Sequence, residues 1–167
     1  MVTSTHVVGS RDGEYVHFKA LGTRHVVTAE QTGGAFAVIE HDLAPRELGA
    51  PTHTHEREDE ISYVTSGRLG VQIGDEVLEA GPGDTVVKPR GIPHAFWNPG
   101  DEPVRFLEMI TPAGFEAYFA DLAPILNADG PPDFEALAAV RDRYALDMDM
   151  DTMIPLIQAH GLTMPPM

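Results

Sequence analysis

Cysteine is absent from the 167 residues of this chain. Its absence excludes disulfide bonds and thiolate metal ligands, and it removes the usual sign of an oxidising compartment. The sequence also lacks any apolar run of about eighteen residues, so we expect no membrane-spanning helix. Residues Met1–Arg11 lack the basic head and apolar block of a secretory signal peptide. Together these absences predict a cytoplasmic protein.

Positive charge is scarce. The chain has 11 lysine and arginine residues against 26 aspartate and glutamate residues, for a formal net charge of −15. Such a surface repels nucleic acid and anionic lipid, so we expect neither nucleic acid nor a membrane as a partner. Much of the excess lies in Arg57–Glu60 and in the segment after Asp121, which we interpret as solvated acidic surface.

Short β-type runs, bounded by glycine, proline or asparagine, fill the first two-thirds of the chain. Closely spaced short strands with turn residues indicate an antiparallel sandwich or barrel, whereas βαβ units would alternate strands with helices. The length suits one domain with a single core. The predicted strands cover residues 15–20, 24–28, 36–43, 61–65, 69–73, 76–78, 84–88, 94–97 and 104–111.

The last third of the chain changes to helical patterning, with predicted helices over 113–122, 134–144 and 151–160. Asp133 is placed as the N-cap of the second helix, and Gly161 as the C-cap of the third. Residues 147–151 are interpreted as a linker that leads into the last helix. We therefore divide the chain into a β-barrel with its N-terminal strands over 1–112 and a helical extension over 113–167. The extension is expected to pack on the barrel or on a partner subunit.

Four side chains offer a ligand set for a metal ion. His53 and His55 are two residues apart, so on an extended strand both point to the same face. Glu60 and His94 would complete the set from neighbouring strands. Three imidazoles and one carboxylate suit iron, nickel, manganese, copper or zinc, whereas calcium and magnesium prefer oxygen ligands. The sequence therefore predicts one divalent transition metal, of undetermined identity, held by these four residues.

These four residues stand in two glycine-framed stretches that resemble the cupin superfamily. Gly49–Gly67 reads G-x3-H-x-H-x4-E-x6-G, and Gly83–Asn98 reads G-x5-P-x-G-x2-H-x3-N. The second stretch matches the cupin pattern at every fixed position. The first has three residues between its glycine and first histidine, where the family usually has five. The resemblance implies an all-β fold, a jelly-roll barrel of the double-stranded β-helix type with a short C-terminal helical extension, and a homodimer.

Further stretches are similar to one branch of small bacterial cupins, the single-domain relatives of the quercetin 2,3-dioxygenases. These are Thr32–Phe36, Glu40-His41 and Thr111–Glu116. This resemblance implies a metal-dependent dioxygenase acting on a flavonol or another enolisable aromatic small molecule. It also implies a catalytic role for Glu60, because quercetinase-like enzymes are thought to use the matching glutamate to take the substrate's hydroxyl proton.

The motif alone leaves the reaction open. A redox-active metal would serve oxygen chemistry, whereas zinc would act as a Lewis acid in a cyclisation or isomerisation of a natural-product intermediate. Cupin-type polyketide cyclases show that a similar ligand set serves the second purpose. A third possibility is a cupin that binds a small molecule without turning it over.

Glu108 is a charged residue inside an otherwise apolar predicted strand. Either it faces outward, solvated or paired with Arg105 or Arg68, or it faces inward as a second acid/base group. Seven apolar residues are candidates to line the cavity: Phe36, Val38, Tyr63, Phe96, Phe106, Met109 and Ile110. Of the neighbours Phe96 and Trp97, at most one is expected to point inward. The remaining histidines lie outside any ligand frame, and His25 and His41 are expected to be structural or exposed.

Overall fold

A computed structural model describes residues 7–164 of the chain. The strands are β1 Tyr15–Phe18, β2 Leu21–Val27, β3 Ala37–Leu43, β4 Leu48–His55, β5 Asp59–Ser66, β6 Leu69–Ile73, β7 Glu76–Ala80, β8 Thr85–Lys88, β9 His94–Trp97, β10 Val104–Thr111 and β11 Leu146–Met148. The helices are α1 Ala29–Thr32, α2 Ala117–Leu126, α3 Phe134–Arg143 and α4 Met153–His160, and a 3-10 turn at Met150–Thr152 precedes α4.

The strands form two antiparallel sheets that face each other. One sheet has the order β1-β2-β3-β10-β5-β8 and the other the order β11-β4-β9-β6-β7. Strands that are neighbours in a sheet are often distant in the chain, as in a jelly roll, where consecutive strands alternate between sheets. The predicted all-β barrel with short C-terminal helices is confirmed.

The core lies between the two sheets because alternate residues of each strand point inward. In β10 the buried positions are Val104, Phe106, Glu108 and Ile110, and the residues between them are exposed or half-buried. This period of two is the sequence signature of a strand with one face covered. One of these four inward positions carries a charge, which marks where the core becomes polar.

A second, smaller core lies on the outer face of β9. Trp97 is buried there against α4, and its ring stacks on His160 with 3.9 Å between centroids. A Cβ atom at Gly70 would lie 2.2 Å from the Trp97 Nε1 atom, so this position requires glycine. Phe96 points to the opposite side, into the barrel, as the alternation predicts.

The C-terminal segment differs in part from its prediction. Leu146–Met148 forms β11, which pairs with the edge of β4, so the predicted linker over 147–151 is wrong for its first two residues. Its remainder leads into α4 through the 3-10 turn, as predicted. A strand of three residues carries no periodic pattern, and only the open edge of β4 explains its pairing. The domain boundary at residue 112 stays a prediction.

The helix caps follow the local sequence more closely. Asp133 accepts a hydrogen bond from the Ala136 amide at 2.9 Å and caps α3, as predicted. Gly161 ends α4 with a left-handed φ of 61°, also as predicted. The first predicted helix is displaced, because α2 begins at Ala117 and continues to Leu126. Among the described residues, no helix has the length and apolar character needed to cross a membrane.

Candidate metal centre

The four predicted ligands meet at one end of the barrel interior. His53 and His55 lie on β4, His94 begins β9 directly opposite His53, and Glu60 lies on β5 of the facing sheet. All four side chains are buried, and one ligand atom from each lies within 4.8 Å of the others. Two strands of one sheet and one strand of the other therefore bring together residues that span 42 positions of the sequence, from 53 to 94.

Backbone carbonyls set the orientation of two of the rings. The Nδ1 atom of His53 lies 2.8 Å from the Pro51 carbonyl oxygen, and that of His94 lies 3.0 Å from the Ile92 carbonyl oxygen. Because a carbonyl oxygen only accepts, Nδ1 carries the proton in both rings. The Nε2 lone pairs are left to face the centre of the cluster, as ligation requires.

Several nitrogen atoms at the centre have no hydrogen-bond partner among the described residues. They are Nε2 of His94 and both ring nitrogens of His55, all of them buried. Glu60 approaches them, with its Oε1 atom 3.4 Å from His55 Nε2 and its Oε2 atom 3.3 Å from His94 Nε2. Buried polar atoms are rarely left without a partner. A divalent cation would satisfy the Nε2 atoms of His55 and His94 and the Glu60 carboxylate at once, so the residues fit a metal. The Nδ1 atom of His55 lies on the other side of the ring, 3.8 Å from Glu58 Oε2.

The electrostatics of the site also suit ligation. Burial, together with the neighbouring His94 and His55, holds the pKa of His53 well below its usual value, and burial lowers the pKa of His94. Burial opposes ionisation of Glu60, yet Lys88, His55 and His94 hold its pKa well below the usual value. At neutral pH His53 and His94 are neutral and Glu60 is ionised, which are the forms that bind metals.

The frame of the two motifs is structural. Gly91 has a φ of 75°, and its amide donates to the His55 carbonyl at 2.8 Å, which ties the turn before β9 to β4. Asn98 is fully buried, and its side-chain nitrogen lies 2.8–3.1 Å from the carbonyl oxygens of Leu43, Ala44 and Glu102. These residues hold the loops around the site and take no part in ligation.

Glu108 faces the barrel interior and is 2% exposed, so the outward orientation is excluded. Its Oε2 atom accepts hydrogen bonds from Lys88 Nζ at 2.8 Å and from Ser62 Oγ at 2.9 Å. It is not paired with Arg68, whose partner is Glu79. Burial raises the pKa of Glu108 to about 7, against the opposite effect of Lys88.

The sequence analysis did not identify Lys88 as a residue of the site. It is 2% exposed, and its ammonium group lies 2.9 Å from Glu60 Oε2 as well as 2.8 Å from Glu108 Oε2. Burial disfavours its charge, but Glu108 and Glu60 raise its pKa above the ordinary value. The sequence did offer one signal for Lys88. It lies two residues after Val86 in a predicted strand, so both side chains point to the same face, and Val86 is apolar. Only the order β8-β5-β10 shows that it lies beside two glutamates.

A cavity of about 480 Å³ opens from the metal cluster toward the C-terminal helices. Its wall is mostly apolar and aromatic, and the Phe115 ring stands edge-on to His55 with 4.3 Å between centroids. Of the seven predicted lining residues, Phe96 lies in the wall, and the prediction is wrong for the other six. Phe106 and Ile110 lie in the core, Phe36 and Val38 are half-buried away from the cavity, and Tyr63 and Met109 are 46% and 41% exposed. The wall includes Phe96, Phe115, Tyr118, Phe119, Leu122 and Met148.

The other histidines that the structure describes lie outside the cluster. His41 is buried, lies in the cavity wall and contacts Thr23 Oγ1 through Nδ1 at 2.9 Å. His25 is buried at 7% exposure, which agrees with a structural role. His17 is exposed, and His6 lies outside the described residues.

Stability is expected to fall as the pH is lowered from 6.5 to 4, in part because of His41. Burial, with Lys88 nearby, lowers the pKa of His41 from 6.5 to about 4. Between these pH values the unfolded chain binds a proton at this histidine and the folded protein does not. The free energy of unfolding therefore falls by about 3 kcal/mol by the time the pH reaches 4. We expect His41→Gln to reduce the pH dependence of the free energy of unfolding, measured by urea titration between pH 4 and 8. His17→Gln is the matched control, and equal slopes in both variants would contradict the prediction.

Comparison with known proteins supports a place in the cupin superfamily. Residues 39–110 match the family described as "Cupin domain". No curated protein matches the chain. A polyketide cyclase, RemF from Streptomyces resistomycificus, is similar in structure at 28% identity and a TM-score of 0.56, covering 65% of this chain and 80% of that one.

Two other solved structures share the fold. KdgF from Halomonas sp. has a TM-score of 0.59 at 17% identity, covering 66% of this chain and 96% of that one, and this likeness shows the fold alone. An oxalate decarboxylase from Bacillus subtilis has 26% identity and a TM-score of 0.55 over 62% of this chain. The match spans only 28% of the decarboxylase chain.

Proposed function

We propose that this cupin-domain protein is a metal-dependent enzyme that acts on an enolisable aromatic small molecule, such as a flavonol, and that oxygen is its co-substrate. One observation carries the proposal. Buried imidazole nitrogens without partners, together with the carboxylate of Glu60, lie at the inner end of a cavity with an aromatic wall. A homodimer in the cytoplasm remains part of the proposal.

His53, His55, Glu60 and His94 would hold the metal. A redox-active ion bound there would supply affinity for the substrate's oxygen atoms and reactivity toward molecular oxygen. The protein's own contribution is to keep His53 and His94 neutral and Glu60 ionised in a buried setting. The donor set therefore supports a catalytic metal, because four protein ligands leave room for further ligands when the ion prefers five or six.

The cavity supports an aromatic substrate. Its volume of about 480 Å³ lies within the usual range of about 300–1,000 Å³ for small-molecule sites. Aromatic side chains, among them Phe115 and Phe119, offer ring faces and edges to a flat molecule. The same apolar wall keeps bulk water away from the reacting end.

Glu60 is proposed as the group that takes the hydroxyl proton of the bound substrate. It is ionised at neutral pH, and its two oxygen atoms face His55 and His94 at the inner end of the cavity. Transfer of that proton to a Glu60 oxygen leaves an electron-rich enolate on the substrate, the form that reacts with oxygen.

A second candidate is a non-redox cyclase or isomerase that uses zinc as a Lewis acid. The observation in its favour is the similarity to the polyketide cyclase, which covers 80% of that chain at 28% identity. The same cavity and the same proton acceptor would serve this chemistry without oxygen.

We expect tag-free protein to contain about one equivalent of iron, nickel, manganese or copper, measured by plasma mass spectrometry without added metal. With quercetin under air it should consume oxygen and place both atoms of ¹⁸O-labelled oxygen in the product, and it should be inactive under nitrogen. Stoichiometric zinc with conversion of a polyketide intermediate under nitrogen would support the second candidate instead. Protein without metal after expression and reconstitution would overturn both.

A further inference from the structure

We propose that Lys88 and Glu108 are positioning residues that fix Glu60 as a metal ligand of constant orientation. The inference rests on the metal site proposed above. It concerns two buried charged residues, Lys88 and Glu108, that are not themselves proposed metal ligands. Lys88 touches Glu60 directly, and Glu108 acts through Lys88.

The three charged side chains form a chain inside the barrel. Lys88 Nζ lies 2.9 Å from Glu60 Oε2 and 2.8 Å from Glu108 Oε2. Ser62 Oγ donates to the same Glu108 oxygen at 2.9 Å. The side chains of Glu60, Lys88 and Glu108 are 7%, 2% and 3% exposed. Although all three side chains lie at the inner wall of the cavity, water has little access to these contacts.

The sheet fixes the relative positions of these charged side chains because they lie on three neighbouring strands, β10, β5 and β8. Glu60 on β5 stands opposite Lys88 on β8, and Ser62 on β5 stands opposite Glu108 on β10. Cross-strand neighbours on one face lie within reach of each other's side chains. A shift of β8 relative to β5 or β10 would separate a buried ion pair.

The contacts restrict what Glu60 can do. Its Oε2 atom is engaged by Lys88, whereas its Oε1 atom lies 3.4 Å from His55 Nε2, among the ligand nitrogens. Rotation of the carboxylate away from the cluster would break the buried ion pair between Glu60 and Lys88, which is costly. Glu60 therefore accepts a proton in place, without swinging out of the ligand set.

A buried ion-pair chain can also be a purely structural feature, and the two roles differ in what they affect. A structural role changes the melting temperature and leaves the metal affinity of the folded protein alone. A positioning role changes metal affinity as well, because groups that orient a metal ligand typically contribute about 10- to 100-fold.

The decisive variant is Lys88→Met/Glu108→Gln, which removes both charges and keeps side-chain volume close to the original. We expect its affinity for Co²⁺, the probe metal, to fall about 10- to 100-fold, with a changed visible absorption spectrum of the bound ion. Arg68→Met/Glu79→Gln removes a surface ion pair in the same way and should leave both quantities unchanged. Circular dichroism before titration establishes that each variant is folded.

A thermodynamic cycle then tests whether the effect passes through Glu60. In a Glu60→Gln background, the double substitution should change Co²⁺ affinity by less than about threefold, because its target is gone. If the double variant fails to fold, Glu108→Asp retains the charge but retracts it, and it should weaken Co²⁺ binding in the same direction.

The outcomes separate the two proposals. Wild-type protein that binds Co²⁺, with a folded double variant of equal affinity and equal spectrum, would overturn the positioning role and leave the proposed function standing. An equal loss of affinity with and without the Glu60 carboxylate would also overturn it. Wild-type protein that takes up no metal would overturn both proposals.

Discussion

Replacing His94 with alanine should remove most of the bound metal and leave the barrel folded. The side chain offers one buried Nε2 atom to the cluster, and no other described residue can take its place within 4.8 Å. Loss of a direct ligand should exceed the roughly 10- to 100-fold effect of an outer residue, so we expect more than about 100-fold weaker binding. The backbone pairing of β9 with β4 and β6 does not depend on this side chain.

Metal content by plasma mass spectrometry and Co²⁺ titration measure the effect, with circular dichroism and thermal unfolding to follow the fold. His17→Ala is the matched control, because His17 is an exposed histidine on β1. Full metal occupancy in His94→Ala would show that the ligand set is wrong. A similar loss in His17→Ala would show that histidine substitution acts through the fold and not through the site.

Glu60→Gln should reduce turnover far more than it reduces metal binding. The amide keeps an oxygen atom in nearly the same place, so a weaker ligand remains. It cannot take a proton, and loss of a general base typically costs about 10²- to 10⁴-fold in rate. Lys88 keeps Glu108 as an ionic partner, which limits the structural damage.

The measurement is turnover of quercetin under air, expressed per equivalent of bound metal and compared with wild-type protein under the same conditions. Glu56→Gln is the matched control, since it removes an exposed carboxylate one residue beyond His55. Unchanged turnover per metal in Glu60→Gln would rule out Glu60 as the proton acceptor. A fall confined to metal content would make it a ligand only.

The candidate metal ligands could be predicted from the sequence because their signals are short-range patterns. Two histidines separated by one residue share a strand face whatever surrounds them, and Glu60 and His94 stand in glycine-framed stretches with characteristic spacing. Strand alternation likewise separated Phe96 from Trp97. The caps at Asp133 and Gly161 depend on neighbouring residues in the chain, so they were predictable too.

Other features depend on which strands become neighbours, and only the tertiary structure could decide them. The sequence shows a lysine at 88 and a glutamate at 108 but not the order β8-β5-β10 that places both beside Glu60. Leu146–Met148 forms a strand because β4 has an open edge with which it can pair. The pattern of these three residues alone does not predict a strand. The cavity wall joins Phe115 and Tyr118 to β4 across the barrel in the same way. Local spacing therefore predicted the four candidate ligands, whereas long-range packing determined that they meet, which charges lie beside Glu60, and where the cavity opens.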